Sequence, residues 1–131
     1  MLAWVSGPLR IWWIVTIVYA KLLLIISVIP WPASVSVGHL DKVVHLCEYL
    51  LFAWLLVQLI RASDLREREY YQLAWMYATS YGLLIELIQG ILPWRSADVA
   101  DAAVNAVGAA LGIWLGGWWP MLHVKRHDTS S

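Results

Sequence analysis

Four ionisable side chains lie at the start of one strongly apolar stretch of this sequence, DKVVHLCEYLLFAWLL at residues 41–56. Asp41 and His45 are four residues apart and Glu48 follows three residues later, so an α-helix would present all three on one face. A carboxylate one turn from an imidazole can orient the ring and raise its basicity. This spacing indicates a general base that could activate water or a hydroxyl group.

A second polar stretch, GLLIELIQGILPWRSADVADAAVNAVGAALG at residues 82–112, places more such groups at helical spacings. Glu86 and Gln89 share one helix face, and Asp101 and Asn105, which are four residues apart, share another. The face of Asn105 continues into a stripe of small residues, namely Gly108, Gly112 and Gly116. Such a stripe lets a second helix approach closely, and it predicts a helix partner or a second copy of the chain.

The elements that must position these groups are strongly apolar. Of the 131 residues, 61% are hydrophobic and 14% are charged, whereas soluble domains carry about 25% charged residues. The ten tryptophans favour a membrane–water boundary. Four apolar stretches approach the roughly 20 residues that a helix needs to cross the hydrocarbon core, namely residues 11–29, 43–60, 71–92 and 102–121. The sequence therefore predicts an all-α fold, a four-helix transmembrane bundle.

Basic residues near the ends of these stretches predict the orientation, because cytoplasmic loops carry an excess of Lys and Arg. One side collects Arg10, Arg61, Arg66, Arg68, Lys125 and Arg126, and the other has only Lys42 and Arg95. We therefore expect a cytoplasmic N-terminus at residues 1–10, a membrane domain at 11–121 and a cytoplasmic tail at 122–131. A cleaved signal peptide is the alternative for the first stretch, but its apolar run is longer than a typical h-region and Lys21 interrupts it.

Polar groups from all four stretches are predicted to lie in one layer of the outer leaflet. Counted at 1.5 Å per residue, Lys21, Glu48, Glu86 and Asn105 fall about 12, 8, 9 and 5 Å below the outer surface. A charge at the middle of a transmembrane helix costs roughly 2.5–3.5 kcal/mol, so these groups should face inward and pair. We expect an ion pair between Lys21 and either Glu48 or Glu86.

The candidate site residues all belong to this outer layer. The candidate catalytic residues are His45, Glu86 and Asp101, with His45 as the base. The candidate ligand-binding residues are Asp41, Lys42, Tyr49, Gln89, Arg95 and Asn105. Among these, Lys42 and Arg95 suit a phosphate or carboxylate group. The sequence therefore predicts a site, surrounded by membrane lipid, for an anionic lipid-linked or cell-envelope ligand.

The same polar residues could serve other functions. His45, Asp101 and Glu86 could hold a metal ion, but zinc sites usually contain more His or Cys, so we expect neither a metal nor another cofactor. The net charge of zero excludes a nucleic-acid partner. A proton path would use intramembrane carboxylates, but the inner half of the bundle offers only uncharged polar groups. The remaining alternative is a non-enzymatic scaffold or partner protein, in which the polar groups only hold the helices together.

Taken in order, these residues resemble the VanZ-like family of membrane proteins. The family pattern is D-K-x-x-H-x-x-x-Y, then E-x-x-Q, an arginine, and D-x-x-x-N-x-x-G-x-x-x-G, over about residues 15–117. The matching residues are Asp41, Lys42, His45, Tyr49, Glu86, Gln89, Arg95, Asp101, Asn105, Gly108 and Gly112. Lys21 and Glu48 lie outside the pattern. The resemblance implies a protein of the bacterial inner membrane, in a family named after resistance to the glycopeptide teicoplanin, and it implies no particular reaction.

Overall fold

A computed structural model describes residues 7–30, 38–63 and 67–118, and this part of the chain contains four α-helices and no β-strand. The helices are α1 (Gly7–Val28), α2 (Gly38–Arg61), α3 (Glu67–Ile91) and α4 (Val99–Trp118). The predicted all-α four-helix fold is confirmed. The predicted tail at 122–131 and most of the predicted N-terminal segment lie outside the described residues.

Three of the four helices are long and apolar enough to cross a membrane. These spans are Leu9–Val28, Leu40–Arg61 and Val99–Trp118. The helix α3 is the longest at 25 residues, but it is not among them because its many polar residues lower its hydropathy. The helices also take in polar residues beside the apolar stretches, since α2 includes Asp41 and Lys42 and α3 begins at Glu67.

Successive helices run in opposite directions. Trp12 packs edge-on against Trp54, and Tyr19 donates a hydrogen bond to the Glu48 carbonyl, so α1 is antiparallel to α2. The Tyr81 hydroxyl donates to the Ala20 carbonyl, which joins α3 to α1. The helix α2 lies at the centre of the fold and has its most extensive contact with α4. Consequently, α1 and α3 end at the same side of the bundle where α2 and α4 begin, and this side is called the loop end below.

The glycine stripe of α4 packs against α2 of the same chain. A Cβ atom at Gly108 would lie 2.5 Å from the Leu46 carbonyl oxygen, and one at Gly112 would overlap the Leu50 carbonyl oxygen. The backbones of the two helices therefore touch, which only glycine permits. The stripe thus provides a close contact between two helices of the same chain.

The opposite end of α2 is fixed by a cation. Arg61 donates one hydrogen bond of 3.0 Å to the Gly116 carbonyl and another of 2.9 Å to the Tyr71 hydroxyl. A positive charge at the C-terminal end of α4 is favourable because the last carbonyls of a helix carry partial negative charge. Arg61 thereby joins α2, α3 and α4 on the side opposite the loop end.

Candidate functional site

Most of the buried polar side chains lie at the loop end, above an apolar core that includes Leu23, Phe52 and Ile85. Helices α2, α3 and α4 and the connection between α3 and α4 contribute the charged groups. The polar cluster is defined here by Asp41, Lys42, His45, Glu48, Tyr49, Glu86, Arg95, Asp98, Asp101 and Asn105. All of these residues lie toward the loop end of the bundle.

The imidazole of His45, which is 4% exposed, lies among three carboxylates. Its Nε2 atom is 3.9 Å from Asp41 Oδ2 and 3.9 Å from Asp101 Oδ2, and its Nδ1 atom is 3.8 Å from Glu48 Oε2. These distances are too long for hydrogen bonds, so the contacts are electrostatic. The structure therefore brings together His45 and Asp101, which are candidate catalytic residues from two different helices.

The side chain of Lys42 joins the first turn of α2 to the start of α4. Its Nζ atom lies 2.9 Å from Asp101 Oδ1 and 3.3 Å from Asp98 Oδ2. The ammonium group predicted to meet an anionic ligand is therefore already paired with two carboxylates. This leaves Arg95 as the cation of the cluster whose side chain makes no hydrogen bond or ion pair with another described residue.

Asp98 is a member of the cluster that the site prediction did not include. Its Oδ1 atom accepts a 2.8 Å hydrogen bond from the Ala100 backbone N–H, which makes it the N-cap of α4. This hydrogen bond, followed by the ammonium group of Lys42, lowers the pKa of Asp98 from its usual 3.8. An Asp immediately before an apolar helix is the sequence signal that identifies such a cap.

Glu86 connects α3 to the beginning of α4. Its Oε2 atom accepts a 3.2 Å hydrogen bond from the Asp98 backbone N–H. The carboxylate also interacts electrostatically with Asp101, His45 and Arg95. Its Oε1 atom is buried and has no hydrogen-bond partner among the described residues. The three candidate catalytic residues therefore belong to one cluster.

Tyr49 and Asn105 are each only 1% exposed. The Tyr49 hydroxyl and both polar atoms of the Asn105 side chain have no hydrogen-bond partner among the described residues. Leaving a buried polar group without a partner costs about 1–3 kcal/mol. Groups of this kind in a native fold call for an explanation such as an ion or ligand.

Gln89 forms a hydrogen bond between two helices. Its Nε2 atom donates a 3.0 Å hydrogen bond to the Ser27 carbonyl, and Trp94 donates one of the same length to the Val28 carbonyl. Both contacts tie the end of α3 to the end of α1. Gln89 was a candidate ligand-binding residue, but in the structure its amide joins two helices.

Lys21 forms an ion pair with neither of its predicted partners, Glu48 and Glu86. The α1 face that packs on the bundle contains Thr16, Leu23 and Ser27, and Lys21 lies two residues from Leu23, about 200° around the helix. Lys21 is therefore exposed. Glu48 instead lies beside His45.

A groove runs down the outside of the bundle from the polar cluster. It has a volume of about 300 Å³ and is lined by Lys42, Val43, Leu46, Ala103, Val104 and Val107 of α2 and α4. Its walls are apolar below the ammonium group of Lys42. A larger cavity of about 660 Å³ lies on α3 and α4 near the opposite end of the bundle, beside Trp114 and Trp118, and contains no residue of the polar cluster.

The cluster carries an excess of acidic groups, with five carboxyl groups against the fixed positive charges of Lys42 and Arg95. Asp41, His45 and Asp101 each offer one ligand atom, and these atoms lie within 4.8 Å of one another. The sequence had suggested Glu86 as the third member of such a set. The structure instead brings in Asp41, because it lies one turn before His45 on the same face of α2.

These features define a helical membrane protein with a buried polar cluster at one end. The family model described as VanZ/LLP1 matches residues 6–119, and the chain belongs to this VanZ-like family. No curated protein and no solved structure shows a significant match to the chain.

Proposed function

We propose that the polar cluster binds the anionic group of a lipid-linked or cell-envelope ligand at the outer leaflet of the bacterial inner membrane. The observation that carries the proposal is a pair of buried hydrogen-bond donors without partners among the described residues, the Tyr49 hydroxyl and Asn105 Nδ2. Because their burial without a partner is costly, a polar ligand group that bonded to them would be strongly held.

The surroundings of the cluster support a lipid-linked ligand over a freely soluble one. The groove between α2 and α4 begins beside Lys42 and is otherwise lined by apolar residues. A hydrocarbon chain would suit this lining, and the anionic group of the same molecule would then lie at the loop end, where Arg95 provides a positive charge. A guanidinium group pairs well with phosphate or carboxylate oxygens because its planar N–H groups match their geometry.

The same arrangement would support a reaction on the bound ligand. In that version His45 removes a proton from water or from a ligand hydroxyl, and Asp41 and Asp101 orient the imidazole. His45→Gln would then abolish turnover or the associated phenotype and leave the amount of folded protein unchanged. Comparing envelope lipids and teicoplanin susceptibility between deletion and wild-type cells would identify the accumulating species and test the link to glycopeptides.

A second candidate function is that of a non-enzymatic scaffold, and it is favoured by the contacts between helices. Lys42 joins α2 to α4, and Gln89 joins α3 to α1. If the cluster acts only in packing, His45→Gln will lower the melting temperature and the function together. An inactive variant with an unchanged melting temperature would exclude this candidate.

The ligand proposal is tested by lipid retention on the full chain purified in mild detergent. Bound phosphatidylglycerol, the anionic probe, is compared with phosphatidylcholine by mass spectrometry for the wild type, Arg95→Gln and Lys21→Gln. Lys21→Gln is the control, because it removes a cation of the same charge from the exposed face of α1. We expect Arg95→Gln to reduce anionic-lipid retention about 10- to 100-fold, which corresponds to one charged hydrogen-bond pair. Equal losses in both variants would contradict the proposal.

A further inference from the structure

The polar cluster contains more negative than positive groups, and this conflicts with an anionic ligand unless another cation is present. We propose that Asp41, His45 and Asp101 bind a divalent metal ion, and that this ion joins the cluster to the anionic group of its ligand. The metal site depends only on the geometry of the three residues. The bridging role rests on the proposed function.

The spacing of the three side chains suits a metal. A cation bound at roughly 2.0–2.2 Å from each ligand atom separates those atoms by about 3–4 Å. His45 Nε2 lies 3.9 Å from an oxygen of Asp41 and 3.9 Å from Oδ2 of Asp101. Asp101 offers this oxygen even though its other oxygen, Oδ1, accepts the hydrogen bond from Lys42. Two helices therefore supply a nitrogen and two oxygens around one point.

The other nitrogen of His45 strengthens this assignment. Metal-binding histidines usually direct their second ring N–H to a carboxylate, which fixes the tautomer and leaves the first nitrogen free to bind. His45 Nδ1 faces Glu48 Oε2 at 3.8 Å and has no hydrogen-bond partner in the part of the chain that the structure describes. Glu48 therefore holds the position of such an orienting carboxylate.

A second, independent feature is the buried side chain of Asn105. It lies one helical turn below Asp101, on the face of α4 that continues through Gly108 against α2. This face packs against α2, and the register that places Gly108 at Leu46 puts Asn105 within one helical turn of His45. Neither its oxygen nor its nitrogen has a hydrogen-bond partner among the described residues. The amide thus lies ready to bind a further ligand of the ion, such as a water molecule.

The donor set selects the class of metal. Carboxylate oxygens alone would suit Mg²⁺ or Ca²⁺, but an imidazole nitrogen favours Zn²⁺, and Mn²⁺ accepts mixed oxygen and nitrogen sets. We therefore assign the site to Zn²⁺ or Mn²⁺.

The test uses Mn²⁺ alone, without lipid, and the full chain in detergent. Binding is followed by the loss of the free-ion electron paramagnetic resonance signal for the wild type, His45→Gln, Asp101→Asn and Asp98→Asn. The last variant is a matched control, since it removes one cluster charge while Asn can still cap α4. We expect the wild type to bind one Mn²⁺ saturably and to release it when Zn²⁺ is added. The affinity for Mn²⁺ should fall at least 10-fold in His45→Gln and Asp101→Asn. It should fall less than threefold in the Asp98→Asn control. If either variant fails to fold, Asp41→Asn takes its place.

Absence of saturable binding, or equal losses in the control and the ligand variants, would overturn the metal site. The bridging role is tested separately by repeating the phosphatidylglycerol measurement with a metal chelator. Lipid retention that the chelator abolishes supports the bridge, and retention that it leaves unchanged refutes it. If no lipid is retained in either condition while Mn²⁺ still binds, the proposed function fails and the metal site stands.

Discussion

Lys42 Nζ lies 2.9 Å from Asp101 Oδ1, although 59 residues separate the two in the sequence. The contact exists because α2 and α4 run in the same direction and begin at the same end of the bundle. Asp101 uses its two oxygens differently, with Oδ1 toward Lys42 and Oδ2 toward His45. This aspartate therefore couples the packing of the helices to the geometry of the candidate site.

The capping carboxylate of Asp98 predicts a dependence of stability on pH. Its pKa is below 3.8 in the folded chain, so its contribution to stability is complete above about pH 4 and is lost as the pH falls through the lowered value. Asp98→Asn should therefore reduce the melting temperature at pH 6, and the difference from wild type should shrink by pH 3. Melting curves in detergent at several pH values measure this, and a difference independent of pH would contradict it.

The hydroxyl group of Tyr49 should matter for the ligand and little for the fold. Because it has no hydrogen-bond partner among the described residues, Tyr49→Phe should leave the melting temperature unchanged or raise it, while phosphatidylglycerol retention falls. Tyr81→Phe is the control, because it removes a tyrosine hydroxyl that does have a hydrogen-bond partner. The Tyr81 hydroxyl donates a 2.6 Å hydrogen bond to the Ala20 carbonyl. Removing this hydroxyl should lower the free energy of unfolding by about 1 kcal/mol and leave phosphatidylglycerol retention unchanged. The reverse pattern would count against a ligand at Tyr49.

The contact between α2 and α4 should not tolerate a methyl group. Gly112→Ala places a Cβ against the Leu50 carbonyl, and overpacking of this kind costs about 1–3 kcal/mol. We expect a clear fall in melting temperature. Gly7→Ala is the control, since nothing lies within 4 Å of its added Cβ, and it should melt like the wild type. A Gly112→Ala variant as stable as that control would show that the helices separate easily.

Cysteine labelling from outside the cell tests the predicted orientation. In a Cys47→Ala background, Ser96→Cys at the loop end should react with a membrane-impermeant maleimide, and Ser63→Cys at the opposite end should react only after the membrane is permeabilised. The basis is the excess of Lys and Arg expected on the cytoplasmic side. The reverse labelling pattern would place the polar cluster at the cytoplasmic face.

Much of the architecture could be predicted because each helix is a long apolar segment bounded by polar residues. The alternation of helix direction then brings groups at similar positions along the bundle together, which is why His45, Glu86 and Asp101 could be expected at the same end of it. Depth alone does not determine the direction in which a side chain points. Lys21 has the right depth, but it lies on the exposed face of α1.

The finer contacts depend on rotation and backbone distance, which hydropathy does not encode. The glycine stripe predicted a close helix contact, and only the fold reveals that α2 provides it. Asp98 was not among the candidate site residues, although its position directly before an apolar helix is that of a cap. Lys42 looked available to an anion because its partners are more than 50 residues away in the sequence.

The central pair of helices is clamped at both extremities by a cation, Lys42 at one and Arg61 at the other, with glycine-to-backbone contact between them. These contacts hold α2 and α4 in one relative position. Sliding or tilting of one helix against the other would break the hydrogen bonds of Lys42 and Arg61 and separate the glycines of α4 from the carbonyl groups of α2. An opening that admits a bulky headgroup would therefore require α1 and α3 to move. At the loop end this movement would break the hydrogen bonds that Gln89 and Trp94 donate to α1 and the one that Asp98 donates to Glu86.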